Sequence, residues 1–175
     1  IINGVSIKSE MTDETIVHMN RFWDTANDIA MIATHVAKQV GFPKPDLAYL
    51  LGLFHNSVVP LLLDRFDNYL VVLEQSYSAG SERIIDVENE LLNTNHAVVG
   101  YYIAKSWNLP KVLCDAIAEH HNCKRHFLGP KQVDSESKTL LAILKIAEHI
   151  CGSARILGNQ EVDHEWDIIG SEVLT

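Results

Sequence analysis

Nine histidines among 175 residues are the feature of this sequence that points most directly to chemistry. Four of them, His55, His96, His120 and His121, fall near the expected ends of helices or at periodic positions, and Glu148 lies on the last strongly periodic segment. Imidazoles and carboxylates are what helical bundles use to build metal sites, because each facing helix aims one or two stiff ligands at a shared interior point. The other five, His18, His35, His126, His149 and His164, show no partner pattern. Spacing alone does not demonstrate convergence, and any one histidine taken singly is more often a surface or hydrogen-bonded core residue than a ligand.

The elements that must position these groups read as helices throughout. From Asp13 to Val40, apolar residues at Ile16, Met19, Trp23, Ala26, Ala30, Ala33, Ala37 and Val40 recur every three or four positions, which predicts a helix with one buried face, capped by Thr12. Gly41, with Pro43 and Pro45 behind it, supplies the stop. A second helix is expected from about Asp46 through Leu53 toward His55, then a break at Ser57 to Pro60, then a further helical stretch ending by Gly80. Helices follow at Arg83 to Leu92, at His96 to Trp107 behind an Asn95 cap, and from Pro110 to about His121. The polar segment Asn122 to Asp134, with Gly129-Pro130, reads as a loop. Ser135 to Cys151 forms the last long helix, with Leu140, Leu141, Leu144 and Ala147 on one side. No segment alternates in the manner of a strand, so the fold class is all-α, and the structure of the tail after Ala154 stays open.

Composition narrows the function classes. At 47% hydrophobic content the chain has the apolar surface for one substantial core, and one compact unit across residues 1–175 is expected. Fourteen basic against 23 acidic side chains leave a formal charge of −9, which opposes phosphate backbones and anionic lipid, so neither a nucleic-acid nor a membrane partner is expected. The richest basic stretch, Lys124-Arg125-His126, is too short for a binding stripe. Three scattered cysteines, Cys114, Cys123 and Cys151, suggest neither a disulfide framework nor a zinc ribbon, and a cytoplasmic location fits them. The longest purely apolar run, Val58 to Leu63, is too short to cross a bilayer, and the start of the sequence does not resemble a secretion signal.

Three strings carry a more specific message. Tyr49-Leu50-Leu51-Gly52-Leu53-Phe54-His55-Asn56 resembles an apolar Gly-Leu-Leu helix followed by the His-Asp pair of the HD superfamily, with Asn56 in place of the aspartate. Asn95-His96-Ala97-Val98-Val99-Gly100 is similar to that superfamily's histidine with glycine four residues on. Trp107-Asn108-Leu109-Pro110, followed by Ala116-Ile117 and Glu119-His120-His121, resembles the Trp-x-Leu-Pro and paired-histidine signature of HDOD domains, degenerate relatives of the HD and HD-GYP phosphohydrolases. Phe22-Trp23 is similar to the start of the helix that normally bears the first histidine. The resemblance runs from about Arg21 to Cys151 and implies a compact multi-helix HD-like bundle of bacterial type. It also implies that the helical region usually ahead of this core is mostly missing, and with no initiator Met the sequence is expected to begin inside a longer polypeptide.

For the catalytic HD enzymes, the resemblance implies a first-helix histidine, the His-Asp pair, later histidines and a late aspartate around one or two divalent metals. Such metals lower the pKa of a bound water and polarise a phosphoryl oxygen. Here Thr25, with Asp24 beside it, falls where the first histidine would stand, and Glu148 takes the late aspartate's place. Asn56 offers a neutral carbonyl oxygen, which cannot bridge two cations with a full charge. The implied degenerate metal site is His55, Asn56, His96, His120, His121 and Glu148, with no residue assigned as catalytic. No cofactor is expected beyond a residual divalent metal, to which zinc, with four ligands and a liking for imidazole, is suited. Without metal, the same residues read as a hydrogen-bonded network that fixes helix packing, a role for which the Asn56 amide is apt.

The resulting expectation is a non-catalytic or weakly catalytic signal-transduction module that binds a partner protein or a small ligand in the former active-site cleft. The alternative is a divalent-metal phosphohydrolase acting on a nucleotide or phosphomonoester, and a third reading is a purely structural helical domain of a larger regulator. The oligomeric state is left open.

Overall fold

Gly52 explains how the first two helices meet. A Cβ at that position would lie 2.6 Å from the Ala30 Cα, so only glycine, facing an alanine-rich stripe, lets the two backbones approach this closely. The computed structural model describes residues 13–80, 83–129 and 135–175. Among these the chain is all-α: α1 (Asp13–Gln39), α2 (Pro45–Phe54), α3 (Val59–Arg65), α4 (Tyr69–Ser78), α5 (Ile84–Leu92), α6 (His96–Ser106), α7 (Lys111–Glu119), a π-helical turn (Lys124–Leu128), α8 (Ser135–Cys151), α9 (Ser153–Gly158) and α10 (His164–Val173).

Helix α1 packs chiefly against α2 and α8, burying Ala26, Ile29, Ala30, Ala33 and Ala37, while its Phe22 is buried in a second apolar cluster. The expected stripe of Ala26, Ala30, Ala33 and Ala37 is buried, but at its ends Trp23 and Val40 are exposed, and Phe22 takes the core position beside Trp23. Trp23 instead rests edge-on against Phe22, with ring centroids 5.5 Å apart. The expected Thr12 cap lies outside the described residues. At the other end Gly41 adopts φ 71°, and the Phe42 amide donates to the Ala37 carbonyl at 2.8 Å, closing the helix as its sequence predicts.

Two apolar clusters result. The larger joins α1, α2, α7, α8 and Ile169 of α10, and the smaller gathers Phe22, Val58, Val59, Leu62, Tyr69 and Leu73. Between Leu51 of the first and Val58 of the second, the chain passes through His55 and Asn56. Fully burying a residue such as Leu51 contributes about 1.5–3 kcal/mol, so the packing on either side holds this polar pair firmly in place. The 21 residues Pro45–Arg65 have the length and apolarity of a membrane span, but half of that window is buried and the helix is broken at His55 to Val58. Its apolarity is accounted for by the two clusters.

Two expected elements differ. The stretch up to Gly80 is two helices, because Phe66 turns extended (φ −126°, ψ 110°) and packs against the smaller cluster. The expected Asn122 to Asp134 loop contains the π-helical turn, anchored by buried Phe127 beneath the Lys138 ammonium. The tail forms α9 and α10, the latter capped by the Asp163 side chain, which accepts from the Trp166 amide at 3.1 Å. Trp166 stacks flat on His149 of α8, centroids 4.2 Å apart, which fixes α10 against α8.

Candidate metal centre

Local structure aims each histidine. His55 follows the last turn of α2, and its Nδ1 lies 2.9 Å from the Gly52 carbonyl and 3.2 Å from that of Leu51. Asn95 caps α6 through the Val98 amide at 2.9 Å and so sets the start of the helix at His96. Gly100, one turn on, leaves α6 room to lie against Ile117 of α7 and the His55 backbone, since a Cβ there would come within 3.0 Å of the Ile117 side chain. His120 and His121 follow the end of α7.

All four imidazoles are buried and contiguous. Ring centroids are 5.4 Å apart for His55 and His120, 5.2 Å for His96 and His120, 4.9 Å for His96 and His121, and 4.1 Å for His120 and His121. Each ring meets an acceptor at Nδ1: a carbonyl of Gly52 or Leu51 for His55, Glu88 at 2.7 Å for His96, the Ile117 carbonyl at 2.7 Å for His120, and Glu165 at 2.7 Å for His121. An acceptor at Nδ1 keeps the proton of a neutral ring there and leaves Nε2 with its lone pair. This is the pattern seen for metal-bound histidines, whose second nitrogen donates to a carbonyl or carboxylate.

The four Nε2 atoms are poorly satisfied by the protein itself. That of His121 is buried with no hydrogen-bond partner, that of His55 meets only a Glu148 oxygen at 3.3 Å, and those of His96 and His120 face each other at 3.3 Å. Two lone pairs at that distance repel unless a proton or a cation intervenes. Burial, with the neighbouring His121, His96 and Lys145, holds the His120 pKa well below its ordinary value, and burial with Lys145 and His96 does the same for His121. Near neutral pH those two rings are therefore uncharged donors. Ligand atoms of His96, His120 and His121 all lie within 4.8 Å of one another, close enough for one ion to reach all three. The donor set thus fits a single divalent transition metal, for which imidazole is the preferred ligand.

The rest of the site is of another kind. The Glu148 Oε1 stands 3.3 Å from His55 Nε2, and its Oε2 is 2.8 Å from the buried Lys145 ammonium, which also meets Glu165 at 2.9 Å. Burial acts to raise the Glu148 pKa, but Lys145 and His55 outweigh it and hold the carboxyl well below the usual range. Burial likewise opposes a charged Lys145, and Glu148 and Glu165 are among the groups that keep it charged. Asn56 is buried with its Oδ1 unpaired, and the Thr25 hydroxyl is turned to its own helix, donating to the Arg21 carbonyl at 2.8 Å. The polar pocket is thus real, but its carboxylates already hold a cation supplied by the chain.

Three supporting residues were missed from sequence. Glu88 is fully buried, accepting from the Tyr69 hydroxyl at 2.6 Å and from the backbone and ring of His96. Its place one turn after Ile84 and Ile85, on the buried stripe of α5, was the available signal, as was the position of Lys145 one turn after Leu141 on α8. Glu165 had none, because α10 itself was not foreseen. Of the histidines without a partner pattern, His126 pairs with Glu119 at 3.0 Å and His149 with Asp163 at 3.1 Å, both away from the cluster. The recess that reaches His121, Lys145, Glu148 and Glu165 holds only about 30 Å³.

The HDOD domain model matches residues 1–123, which contain all four clustered histidines. Among solved structures, an HDOD domain protein of unknown function from Geobacter sulfurreducens aligns at 22% identity with a TM-score of 0.57, over 86% of this chain and 59% of that one. A protein described as "Putative phosphohydrolase" from Shewanella amazonensis SB2B aligns at 21% identity with a TM-score of 0.54, over 94% of this chain and 61% of that one. The chain therefore spans about three fifths of either structure, and at these identities the likeness speaks for the fold. No curated protein matches. With its family model matched over most of its length, the chain belongs to the HDOD domain family.

Proposed function

We propose that this chain is a non-catalytic regulatory module in which an HD-type site survives as a closed centre for one divalent transition metal, with output through a partner protein. The observation that carries this reading is the meeting of ligand atoms of His96, His120 and His121 within 4.8 Å of one another, beside a recess of about 30 Å³ that His121 lines. A water needs roughly 10–15 Å³ of such space, so the recess takes an ion and water, whereas ligand pockets run to about 300–1,000 Å³. A bound metal would supply Lewis acidity and an acidified water. The chain's own residues hold the rings: Glu88, Glu165 and two backbone carbonyl sites fix the Nδ1 protons and orient each ring. A small ligand of nucleotide size fits instead the separate cleft of about 550 Å³ between α6, α7 and the π-helical turn, where Tyr101, Tyr102 and Arg125 stand.

Protein purified without chelator and analysed for metal, then assayed against nucleotides and phosphomonoesters, tests the reading. One equivalent of a transition metal and no hydrolysis above background are expected. Two equivalents with turnover would favour the second reading, a phosphohydrolase, for which the retained cluster of His96, His120 and His121 speaks.

A further inference from the structure

The site has two halves that differ in what they still lack. His96, His120 and His121 present lone pairs with no charge to balance them. His55, Asn56 and Glu148, the remainder of the set that the resemblance implies for metal, lie instead beside a cation that the chain itself supplies. The Lys145 ammonium sits 2.8 Å from Glu148 Oε2, on the carboxylate whose other oxygen faces His55. It is completed by Glu165 at 2.9 Å, and that same carboxylate orients His121 through its other oxygen. A single chain of contacts therefore runs His55, Glu148, Lys145, Glu165, His121, with the ammonium at its middle.

We propose that Lys145 is a resident cation which takes the electrostatic place of a second divalent ion and so limits this centre to one metal. The buried ammonium claims the carboxylate that would otherwise reach both ions, and a divalent ion entering beside it would meet a fixed like charge in a medium that screens poorly. Asn56 fits the same arrangement: an aspartate there would add a negative charge for which no second ion is present, whereas the amide is neutral. On this view the neutral Asn56 and the cationic Lys145 are two parts of one change, and restoring the aspartate alone does not restore a second metal. The inference rests on the reading that the three-histidine half holds an ion.

Metal-free protein titrated with Zn²⁺, and separately with Mn²⁺ followed by electron paramagnetic resonance, distinguishes the two. Wild type is expected to take one equivalent, Asn56→Asp still one, and Asn56→Asp with Lys145→Met two, the second ion binding at least tenfold tighter than in Asn56→Asp. The manganese signal should then change from that of an isolated ion to that of a coupled pair. Two equivalents in Asn56→Asp with Lys145 intact would overturn the proposal without requiring any lysine variant to fold. So would a single equivalent in the double variant when circular dichroism shows it helical; should the methionine variant not fold, Lys145→Gln, which keeps a hydrogen-bonding group, replaces it. Wild type with no metal would fail the underlying reading, and the double variant then decides for Lys145: an ion gained supports its role, none overturns it.

Discussion

The two halves of the polar centre are built on opposite principles. The histidine half, His96 at the start of α6 and His120 and His121 at the end of α7, is incompletely satisfied, with each ring oriented from behind at Nδ1 and with the Nε2 atoms of His96 and His120 facing each other. The lysine half, from α8 and α10, is charged, with one ammonium held between two carboxylates. A partly unsatisfied group of donors is costly to keep buried unless something binds it, whereas a paired ammonium and two carboxylates need nothing further. The comparison teaches that buried donors left unsatisfied on one side of a site can adjoin a side that carries its own cation.

The largest expected effect breaks the lysine half. Removing one partner from a buried ion pair leaves the others uncompensated, so Lys145→Met should destabilise the metal-free protein by about 3–5 kcal/mol in chemical denaturation. A change below about 1 kcal/mol would mean that Glu148 and Glu165 are not charged as described. In the histidine half, His120→Ala removes a ring that touches all three others, and zinc affinity should fall by more than about 100-fold in a chelator competition, beyond what loss of an orienting partner costs. Unchanged affinity would place the metal elsewhere.

Glu88→Gln and Glu165→Gln act from behind His96 and His121, respectively, and each should weaken zinc binding by about 10- to 100-fold. Equal losses from the two would show that the C-terminal helix α10 contributes as much to the centre as α5, which lies inside the matched family region.

The smallest effect separates the halves by pH. In the folded protein His120 and His121 resist protonation, while in the unfolded chain they accept protons near their ordinary value of 6.5. The unfolded state therefore binds more protons below that value, and stability that is complete above pH 6.5 declines as the pH falls. Glu148, lowered from an ordinary 4.5, adds a second decline below about that pH, when the unfolded chain protonates and the folded one does not. The melting temperature of metal-free protein should thus fall first between pH 7 and 5 and again below 4.5. A flat profile from 7 to 5 would contradict the account of the histidine half.

The histidine half was legible in the sequence because each ring sits in a short string with its own local logic: an apolar helix ending at His55, a capped helix starting at His96, a pair closing α7. Glu148 was found by its place on α8, and all-α architecture followed from periodicity. The lysine half was largely hidden. Lys145 and Glu88 required noticing a charge on a buried stripe, and Glu165 acquires its role only when α10 folds back on α8 through the Trp166 and His149 stack. That is a relation between distant segments which no local pattern encodes. The same limit applies to Phe66, whose extended backbone splits α3 from α4 to serve a cluster it cannot announce by spacing.

The central claim is that one ion, and one only, sits among imidazoles that the fold has already turned toward it. X-ray absorption of the zinc-loaded wild-type protein measures this directly. The account predicts a shell of imidazole nitrogens at about 2.0–2.1 Å with no metal neighbour, and a zinc–zinc vector at roughly 3.5–4 Å, or a shell without imidazole, would contradict it.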